Sequence, residues 1–443
     1  MPKRHAEKNR LDLILEHAKI IIILIIVIIP HIMYIKRKLE DTILKYLSAP
    51  EIIAIIGARQ SGKTTLLKKL YSNVEKEAAF LSFEDRRVLS LFEENIDDFI
   101  SLYAAEKKYL FIDEFQYAKH GGKNLKYIYD LHHIKIFISG SSAIDLTVNA
   151  LKFLVGRIFI FTLHPFDFEE FLSFKDDRLC KLYKQSRIDL TDLNKNKIPS
   201  QAILEEINHL YEEYIVFGGY PRVALANTLE EKKNVLANIY NTYFLREVKD
   251  ILGLIDDYKL VNLIKALALQ SGNLIEYNEL GNTSEINYST LKSYINFLEK
   301  TFICKLVRPF YTNKRLEIVK NPKIYFMDTG LLNYITDDFR KLADRPNAGQ
   351  IIENAVFQKL TDREYQLNYW RTKAKDEIDF ILSLGDGKTL ALEIKNNYNK
   401  IAPIKAIKLF KEKYKAEIAF GYYKGHSDSC KKDFYYTFPI SLL

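Results

Sequence analysis

Apolar and polar positions follow different patterns in different parts of the chain. Short unbroken apolar runs, such as Ile52–Ile56, are typical of buried strands in a parallel sheet. From about residue 166 to 250 apolar side chains recur every three or four positions, as Phe168 and Phe171 do, which predicts helices. Alternation with period 2 follows near the C-terminus. The pattern therefore predicts an α/β fold with a helical middle part.

The composition is that of a large folded protein. At roughly 150 residues per domain, 443 residues predict about three domains. Apolar residues are 48% and charged residues 28%, which excludes a disordered chain and an integral bundle of membrane spans. The net charge of +8 is modest and by itself predicts no partner. Cys180, Cys304 and Cys430 have no CxxC spacing, so we expect a cytoplasmic protein without disulfides.

Residues 1–32 contain the unbroken apolar run Ile20–Ile29 behind a basic segment. Ten residues at 1.5 Å each cover only about half of a hydrocarbon core of roughly 30 Å. Charged residues before the run and the lack of small residues after it disfavour a spanning helix and a cleaved signal. The favoured interpretation is that residues 1–32 are an extension, or that a start upstream of Met33 has been assigned wrongly. A membrane anchor and a signal peptide remain the alternatives, and membrane association is not expected.

Residues 52–72 have the order strand, glycine-rich loop, helix that a phosphate-binding loop requires. Gly57 and Gly62 allow successive N–H groups to face phosphates at the positive end of the helix. Lys63 is predicted to reach the β- and γ-phosphates, and Thr64 to ligate Mg²⁺. The predicted nucleotide-binding residues are Gly57, Ala58, Arg59, Gln60, Ser61, Gly62, Lys63, Thr64 and Thr65.

The strand YLFID supplies the carboxylates that ATP hydrolysis requires. Asp113 ends this strand and is predicted to hold Mg²⁺, often through water, while Glu114 would polarise the attacking water. The next strand runs into SGSS, where Ser139 is predicted to sense the γ-phosphate. Ser141 is the close alternative, because the sequence does not resolve a shift of one residue.

The segments GARQSGKTTL, LFIDEFQ, FISGSSA and GRIFIFTLHPFDFEEFL occur in the order found in archaeal and bacterial AAA-type ATPases that carry a C-terminal DUF4143 region. The resemblance continues through Gly218–Arg222 and Asn321–Gly330, and covers nearly everything after residue 33. It implies an α/β P-loop NTPase of the AAA type with a helical lid. The expected divisions are an extension 1–32, an ATPase core 33–165, a lid 166–255, a winged-helix domain 256–325 and a nuclease-like domain 326–443.

AAA-type sites commonly use an arginine, from a neighbouring subunit or from the lid, to stabilise charge in the transition state. Arg157 in VGRIF matches the family's Gly-Arg position and is the first candidate, with Arg222 the second. If Arg157 acts in trans, a homo-oligomer would complete the site. The alternative for both residues is a surface ion pair.

Residues 256–325 have the pattern of a winged helix-turn-helix, with three predicted helices followed by an apolar stretch and a basic turn. The third helix would bury Leu291 and Leu298 and leave Lys292 outward. Seven basic residues and one acid lie between Lys300 and Lys323, which suits a phosphate backbone. DNA is therefore the expected partner, and a protein-interaction or dimer module is the alternative.

Residues 326–443 contain a second group of carboxylates. Period-2 alternation predicts a hairpin with Asp379, Glu393 and Lys395 on one side. With the upstream Glu353 they resemble the PD-(D/E)XK nucleases, to which DUF4143 regions look similar. The resemblance implies a C-terminal nuclease-like α/β domain in which Asp379 and Glu393 hold Mg²⁺, Glu353 supports the metal shell and Lys395 steadies the water or the developing charge. The alternative is a surface ion pair between Glu393 and Lys395.

Together these features predict a cytoplasmic ATPase that uses ATP and Mg²⁺, in which nucleotide binding and release move DNA-facing winged-helix and nuclease-like domains. The alternative is a nucleotide-dependent signalling switch whose C-terminal domains bind protein and cut nothing. Salt dependence separates the two, because DNA binding weakens steeply with salt and a protein interface responds less.

Overall fold

A computed structural model describes residues 34–119, 121–140, 153–242, 258–385, 387–402, 404–426 and 430–443. The predicted extension 1–32 and the alternative sensor Ser141 lie outside these residues. Contacts divide the chain between Lys36 and Arg37, and every element below lies in the unit Arg37–Leu443. Across the described ranges, no helix has both the length and the apolar character needed to span a bilayer.

In the first described part of the chain, five strands form a parallel sheet in the order β2-β3-β4-β1-β5. The strands are β1 Ile52–Ile56, β2 Ala78–Ser82, β3 Tyr109–Asp113, β4 Lys135–Gly140 and β5 Ile158–Thr162. Helices α1 Lys38–Leu44, α2 Lys63–Ser72, α3 Arg86–Glu94, α4 Ile96–Tyr103 and α5 Gly121–His132 accompany it. The parallel sheet confirms the predicted α/β fold of the P-loop NTPase kind. Because the strands are parallel, β1, β3 and β4 all end on the same side of the sheet. We call the side where the strands end the carboxyl edge, and the side where they begin the amino edge.

The side chains of β1 alternate between two hydrophobic cores, as the pleat of a strand requires. The first core contains Ile53, Ile55, Leu66, Leu67 and Leu70. The second contains Ile52, Ala54, Phe92, Phe99, Leu125 and Ile128. Both faces of β1 are therefore covered, which explains why this strand is an unbroken apolar run rather than an alternating one.

Helices follow the parallel sheet, as the periodicity from residue 166 predicts. They are α6 Phe168–Lys175, α7 Asp177–Ser186, α8 Gln201–Phe217, α9 Pro221–Ala224 and α10 Leu229–Ile239. Helix α6 begins at a capping box, in which Asp167 accepts a hydrogen bond from the N–H of Glu170 and the Glu170 side chain accepts from the N–H of Asp167. The ring of Phe168 packs against those of Tyr211 and Tyr214, which joins α6 to α8.

Three helices and a two-stranded hairpin form the next segment. They are α11 Tyr258–Leu269, α12 Tyr277–Ser284, α13 Tyr288–Lys300, β6 Cys304–Pro309 and β7 Lys323–Phe326, with α14 Lys314–Val319 between the strands. As predicted for the third helix, Leu291 and Leu298 are buried and Lys292 is exposed. Leu274 also pairs with Lys323 in an antiparallel bridge. The assignment of this segment as a winged helix stays a prediction.

The described strands of the C-terminal part form an eight-stranded mixed sheet in the order β12-β13-β11-β10-β9-β8-β6-β7. Its remaining strands are β8 Gln366–Arg371, β9 Glu377–Ser383, β10 Thr389–Asn397, β11 Glu417–Lys424, β12 Lys431–Lys432 and β13 Tyr435–Pro439. The helices are α15 Thr329–Ile335, α16 Ala348–Asp362 and α17 Lys405–Tyr414. Short 3₁₀ turns cover Glu75–Glu77, Phe115–Tyr117, Leu193–Lys195, Leu342–Asp344, Tyr398–Lys400 and Ile440–Leu442.

The two segments expected as domains 256–325 and 326–443 share this sheet. Strand β6 pairs with β8 in parallel, with Arg308 opposite Asn368. Strand β7 itself crosses the expected boundary at residue 325. The hairpin is therefore continuous with the strands that carry Asp379 and Glu393, and the backbone hydrogen bonds of the sheet connect the two segments.

Candidate functional site

The loop between β1 and α2 requires glycine at both ends. Gly57 has φ 151° and Gly62 has φ 99°, which favour a residue without a side chain. A Cβ atom at Gly57 would lie 2.1 Å from the carbonyl oxygen of Leu163. Gly62 directly precedes the first turn of α2, whose backbone N–H groups have no partner within the helix. The loop thus has the conformation of an anion-binding turn.

Lys63 and Ser61 give this loop its polar interior. The Nζ atom of Lys63 is buried and donates to the carbonyl oxygens of Gly57 and Ala58, at 3.0 and 2.9 Å. The buried Ser61 hydroxyl has no hydrogen-bond partner in the described structure. A lysine directed into the loop and an unsatisfied hydroxyl fit a polyphosphate ligand. The remaining predicted nucleotide-binding positions are the buried Ala58, the half-buried Arg59 and Thr64, and the exposed Gln60 and Thr65.

Asp113 and Ser139 meet at the carboxyl edge of the sheet. The Ser139 hydroxyl donates a short hydrogen bond to Oδ1 of Asp113. The N–H of Glu114 donates to the same hydroxyl at 3.4 Å. Glu114 has a left-handed backbone, with φ 56°, and its carboxylate accepts from the Gln116 amide. The structure therefore brings together the residues predicted for Mg²⁺, water and γ-phosphate, and their roles stay predictions.

The two candidate arginines lie at opposite edges of the sheet. Arg157 comes just before β5, where Ile158 pairs with Ile52 at the start of β1, so it lies away from the phosphate loop. Its Nε atom is 2.9 Å from a carboxylate oxygen of Asp130. The phosphate loop leaves the carboxyl end of β1, whereas Arg157 lies at the amino end of that strand. In its own chain, Arg157 is thus too distant to contact a nucleotide in the loop.

The short helix α9, which carries Arg222, lies beside the phosphate loop. The Cγ atom of Pro221, its neighbour in α9, would be 3.8 Å from a Cβ atom built at Gly62. The Arg222 side chain is 62% exposed and its Nη2 atom is 3.3 Å from Oε1 of Glu231. Both candidates therefore make the surface ion pair expected as the alternative, but only the helix carrying Arg222 contacts the loop from within the same chain.

Sequence reasoning missed Arg37, which contacts the phosphate loop directly. Its Nη1 atom donates to the carbonyl oxygen of Ser61 at 2.8 Å, and its Nη2 atom to that of His164 at 2.6 Å. Its Nε atom is 3.1 Å from Oε2 of Glu170. These partners are 24, 127 and 133 positions away in the sequence, so no local pattern indicates them.

A second group of charged side chains, here called the carboxylate cluster, comprises Glu353, Glu377, Asp379 and Glu393. Helix α16 carries Glu353, and strands β9 and β10 carry the others. Oδ2 of Asp379 accepts from the N–H of Ile394 at 2.8 Å. Glu393 pairs with Lys395 at 2.7 Å, as the surface-pair alternative expected, although Glu393 is buried.

Lys323, counted above among the basic residues that suit a phosphate backbone, is instead buried in this cluster and is its cation. Its buried Nζ atom lies 3.0 Å from Oε1 of Glu353 and 2.6 Å from Oε1 of Glu377. The Tyr325 hydroxyl, two residues along β7, donates to Glu353 at 2.5 Å. The only signal in the sequence was a lysine at the start of an apolar strand, and nothing local pairs it with residues 30 and 54 positions away.

The carboxyl groups of the cluster affect one another. Burial and the charge of Asp379 together raise the pKa of Glu353 to about 7, against the opposing effect of Lys323. Burial and the charge of Asp379 raise the pKa of Glu393 to about 8, which Lys395 opposes. Burial also raises the pKa of Asp379. Oε2 of Glu393 is buried and has no hydrogen-bond partner in the described structure.

Among the described residues, no three His, Cys, Asp or Glu side chains converge in a way that would hold a metal ion. The ammonium groups of Lys323 and Lys395 balance the carboxylates instead. The predicted Mg²⁺ ligands Asp379 and Glu393 thus lie close enough to affect each other electrostatically, but not as a preformed metal site. Their metal-binding role stays a prediction.

Three family profiles match consecutive parts of the chain. An AAA domain matches residues 49–172, a domain of unknown function, DUF8612, matches residues 208–346, and DUF4143 matches residues 348–443. The first covers the phosphate loop and the edge formed by β3 and β4. The chain therefore contains an AAA-type P-loop ATPase domain and a C-terminal DUF4143 region, as the resemblance implied. The DUF8612 match crosses the expected boundaries at residues 255 and 325.

Relatives of similar length occur in distant organisms. An uncharacterized protein of Methanocaldococcus jannaschii is 26% identical over 370 residues, which cover 80% of this chain and 78% of the relative. An uncharacterized protein of Haemophilus influenzae is 26% identical over 383 residues, with 79% and 88% covered. Among solved structures, the Walker-type ATPase PABY2304 of Pyrococcus abyssi matches 68% of this chain and 96% of its own at 16% identity, with a TM-score of 0.44.

Proposed function

We propose that the chain binds ATP with Mg²⁺ at the carboxyl edge of the parallel sheet and hydrolyses it. The observation that carries this proposal is the convergence of the loop Gly57–Thr64 with Asp113 and Ser139 at one edge. In this proposal Lys63 holds the β- and γ-phosphates, and Thr64 and Asp113 hold Mg²⁺. The metal ion neutralises charge that develops on the phosphoryl group.

Glu114 is the proposed base for the attacking water. It follows the Mg²⁺ ligand Asp113 directly, and the amide of Gln116 holds its carboxylate. Ser139 bonds to both Asp113 and the backbone of Glu114, so it would keep the metal ligand and the base in a fixed relation.

For the charge-stabilising arginine we propose Arg222, because its helix lies beside Gly62. Arg157 would serve only the site of a neighbouring subunit.

Isothermal titration calorimetry with Mg-ATP tests the binding step. Wild type should bind, and Lys63→Ala should not, because the loop then lacks its phosphate-binding cation. Lys68→Ala is the matched control, since Lys68 is exposed on the same helix. Absence of binding by folded wild-type protein, or equal affinity in Lys63→Ala, would reject the site.

The segment 258–326 is proposed to bind DNA as a winged helix. Its support is the order of three helices and a hairpin, with the Leu274–Lys323 bridge in the place of a short first strand. Helix α13 exposes Lys292 and Lys300, and the connection between β6 and β7 exposes Ile318 beside basic residues. Duplex binding should weaken steeply between 50 and 200 mM salt, by about 10³-fold for six phosphate contacts. A nearly flat salt dependence would favour the protein-binding switch.

For the carboxylate cluster we propose Mg²⁺-dependent cleavage of a phosphodiester, in the manner of PD-(D/E)XK enzymes. The support is that Oε2 of Glu393 is buried without a hydrogen-bond partner in the described structure. The charge of Asp379 also raises the pKa of both Glu353 and Glu393, and a bound cation would relieve this repulsion. Asp379 and Glu393 would hold the ion, and Lys395 would stabilise the charge that develops on the phosphate. Movement of the lid with nucleotide state would couple this site to ATP.

A further inference from the structure

We propose that Arg37 is a positioning residue for the phosphate loop, whose guanidinium, held by Glu170, fixes the Ser61–Gly62 peptide in the orientation that receives phosphate. The inference rests on the proposed ATP binding and adds a residue from outside the loop motif. Arg37 lies just before α1 and is only 5% exposed, so its partners are those inside the protein.

The first step is the orientation of one peptide group. Nη1 of Arg37 is 2.8 Å from the Ser61 carbonyl oxygen and would be 3.4 Å from a Cβ atom at Gly62. In a planar trans peptide the C=O and N–H bonds point in opposite directions. With its carbonyl held by Arg37, this peptide directs the Gly62 N–H away from Arg37. If the peptide turned over, a carbonyl oxygen would face the phosphates and repel them.

The same guanidinium also reaches the other end of the loop. Its Nη2 atom donates to the His164 carbonyl at 2.6 Å. The preceding residue, Leu163, donates its N–H to the Ile56 carbonyl at 2.7 Å, and its own carbonyl covers Gly57. Arg37 therefore fixes the loop directly at Ser61 and, through the segment 163–164, beside Gly57. A lysine side chain carries all its donors on one nitrogen atom. It therefore lacks the planar guanidinium group with which arginine donates to two carbonyl groups in different directions.

Glu170 holds the guanidinium in place. Its Oε2 atom is 3.1 Å from Arg37 Nε, and its Oε1 atom accepts the Lys38 N–H at 2.8 Å. Oε2 also accepts the N–H of Asp167 within the capping box of α6. The Cζ atom of Arg37 lies 4.9 Å from the centre of the Phe166 ring. Nε itself makes no hydrogen bond in the described structure, so Glu170 acts on Arg37 as a buried counter-charge. Truncating either partner of such a pair leaves the other charge buried without compensation.

The experiment measures ATP affinity and melting temperature for Arg37→Ala and Arg37→Lys. We expect Arg37→Ala to lose about 10- to 100-fold in affinity, the effect of one hydrogen bond to a charged group. Arg37→Lys should retain only part of the ATP affinity that Arg37→Ala loses, because lysine keeps the positive charge but not the planar guanidinium group. Millimolar guanidinium should restore binding in Arg37→Ala and leave wild type unchanged. Arg187→Ala is the control, since Arg187 pairs with Glu169 and does not contact the loop.

The outcomes separate this inference from the proposed function. If wild type binds ATP and Arg37→Ala binds it with the same affinity, the inference is wrong. A lower melting temperature of Arg37→Ala with unchanged affinity would mean that Arg37 is merely structural. If Arg37→Ala does not fold, Arg37→Lys decides, and an affinity equal to wild type overturns the inference. Absence of binding in wild type and in the Arg187→Ala control would instead reject the nucleotide site itself.

Discussion

The backbone N–H of Gly219 donates a 2.8 Å hydrogen bond to Oδ2 of Asp328. The same carboxylate caps α15 by accepting the Leu331 N–H at 2.8 Å. The carbonyl oxygen of Gly219 in turn accepts a hydrogen bond from the N–H of Phe166. Phe166 follows the segment 163–164, which lies beside Gly57 of the phosphate loop. A Cβ atom at Gly218 would lie 2.2 Å from Asp328, so glycine is required for this approach. A chain of hydrogen bonds thus connects Phe166, near the phosphate loop, to Asp328, which follows the strand that carries Lys323.

Asp328 should make stability depend on pH. Burial raises its pKa to about 6 from an ordinary value of 3.8, against its backbone hydrogen bonds. The folded state then binds the proton more tightly than the unfolded state. The group's stabilising contribution is therefore complete below pH 4 and is lost as pH rises towards 6, by about 3 kcal/mol at most.

Urea unfolding of wild type and Asp328→Asn at pH 4 to 8 measures this effect. The amide cannot titrate, so the difference in free energy of unfolding between the two proteins should change between pH 4 and 6 and stay constant above. Parallel stability curves over the whole range would mean that Asp328 titrates alike in both states.

Glu114→Gln should keep nucleotide binding and lose turnover. Glutamine retains the shape of the side chain but cannot take a proton from water, and such a loss costs about 10²- to 10⁴-fold in rate. Steady-state ATP hydrolysis and calorimetric affinity measure the two effects separately. Glu84→Gln is the control, because Glu84 is an exposed acid in the same domain. Equal hydrolysis rates in wild type and Glu114→Gln would remove Glu114 from the mechanism.

Arg222 and Arg157 should respond differently to protein concentration. If Arg222 acts within its own chain, Arg222→Ala lowers the rate per molecule at every concentration. Arg157 lies at the amino edge of the sheet and should have no effect in a monomer. Hydrolysis rates from low to high protein concentration, for each alanine variant, make the comparison. A rate that rises with concentration in wild type and not in Arg157→Ala would assign the role to a neighbouring subunit.

The parts of the site that sequence predicted are those governed by strand direction. Asp113 and Ser139 end parallel strands, so their meeting follows from the order of apolar runs. Arg37, Lys323 and Asp328 were missed because their partners come from distant segments, up to 133 residues away for Arg37 and Glu170. The shared C-terminal sheet was missed for the same reason, since the pairing of β6 with β8 leaves no local pattern.

Lys323 should contribute more to stability than Lys395. Lys323→Met leaves Glu353 and Glu377 without their buried cation, which costs about 3–5 kcal/mol in such pairs. Lys395 is 26% exposed, so Lys395→Met should cost much less. Urea unfolding measures both, and the double variant Lys323→Met with Glu353→Gln should recover part of the loss. Equal destabilisation by the two lysine variants would contradict this assignment.

Asp379→Asn should abolish Mg²⁺-dependent nicking of DNA and leave ATP hydrolysis unchanged. The amide oxygen preserves the hydrogen bond from the Ile394 N–H, while the charge that would bind the metal is removed. Supercoiled plasmid, incubated with Mg²⁺ and with EDTA, reports nicking, and Asp376→Asn is the control because Asp376 lies in the turn before β9. Nicking at the wild-type rate in Asp379→Asn would contradict the proposed role of Asp379 in metal binding. An intact plasmid with wild type, across duplex, junction and single-stranded substrates, would favour the switch that cuts nothing.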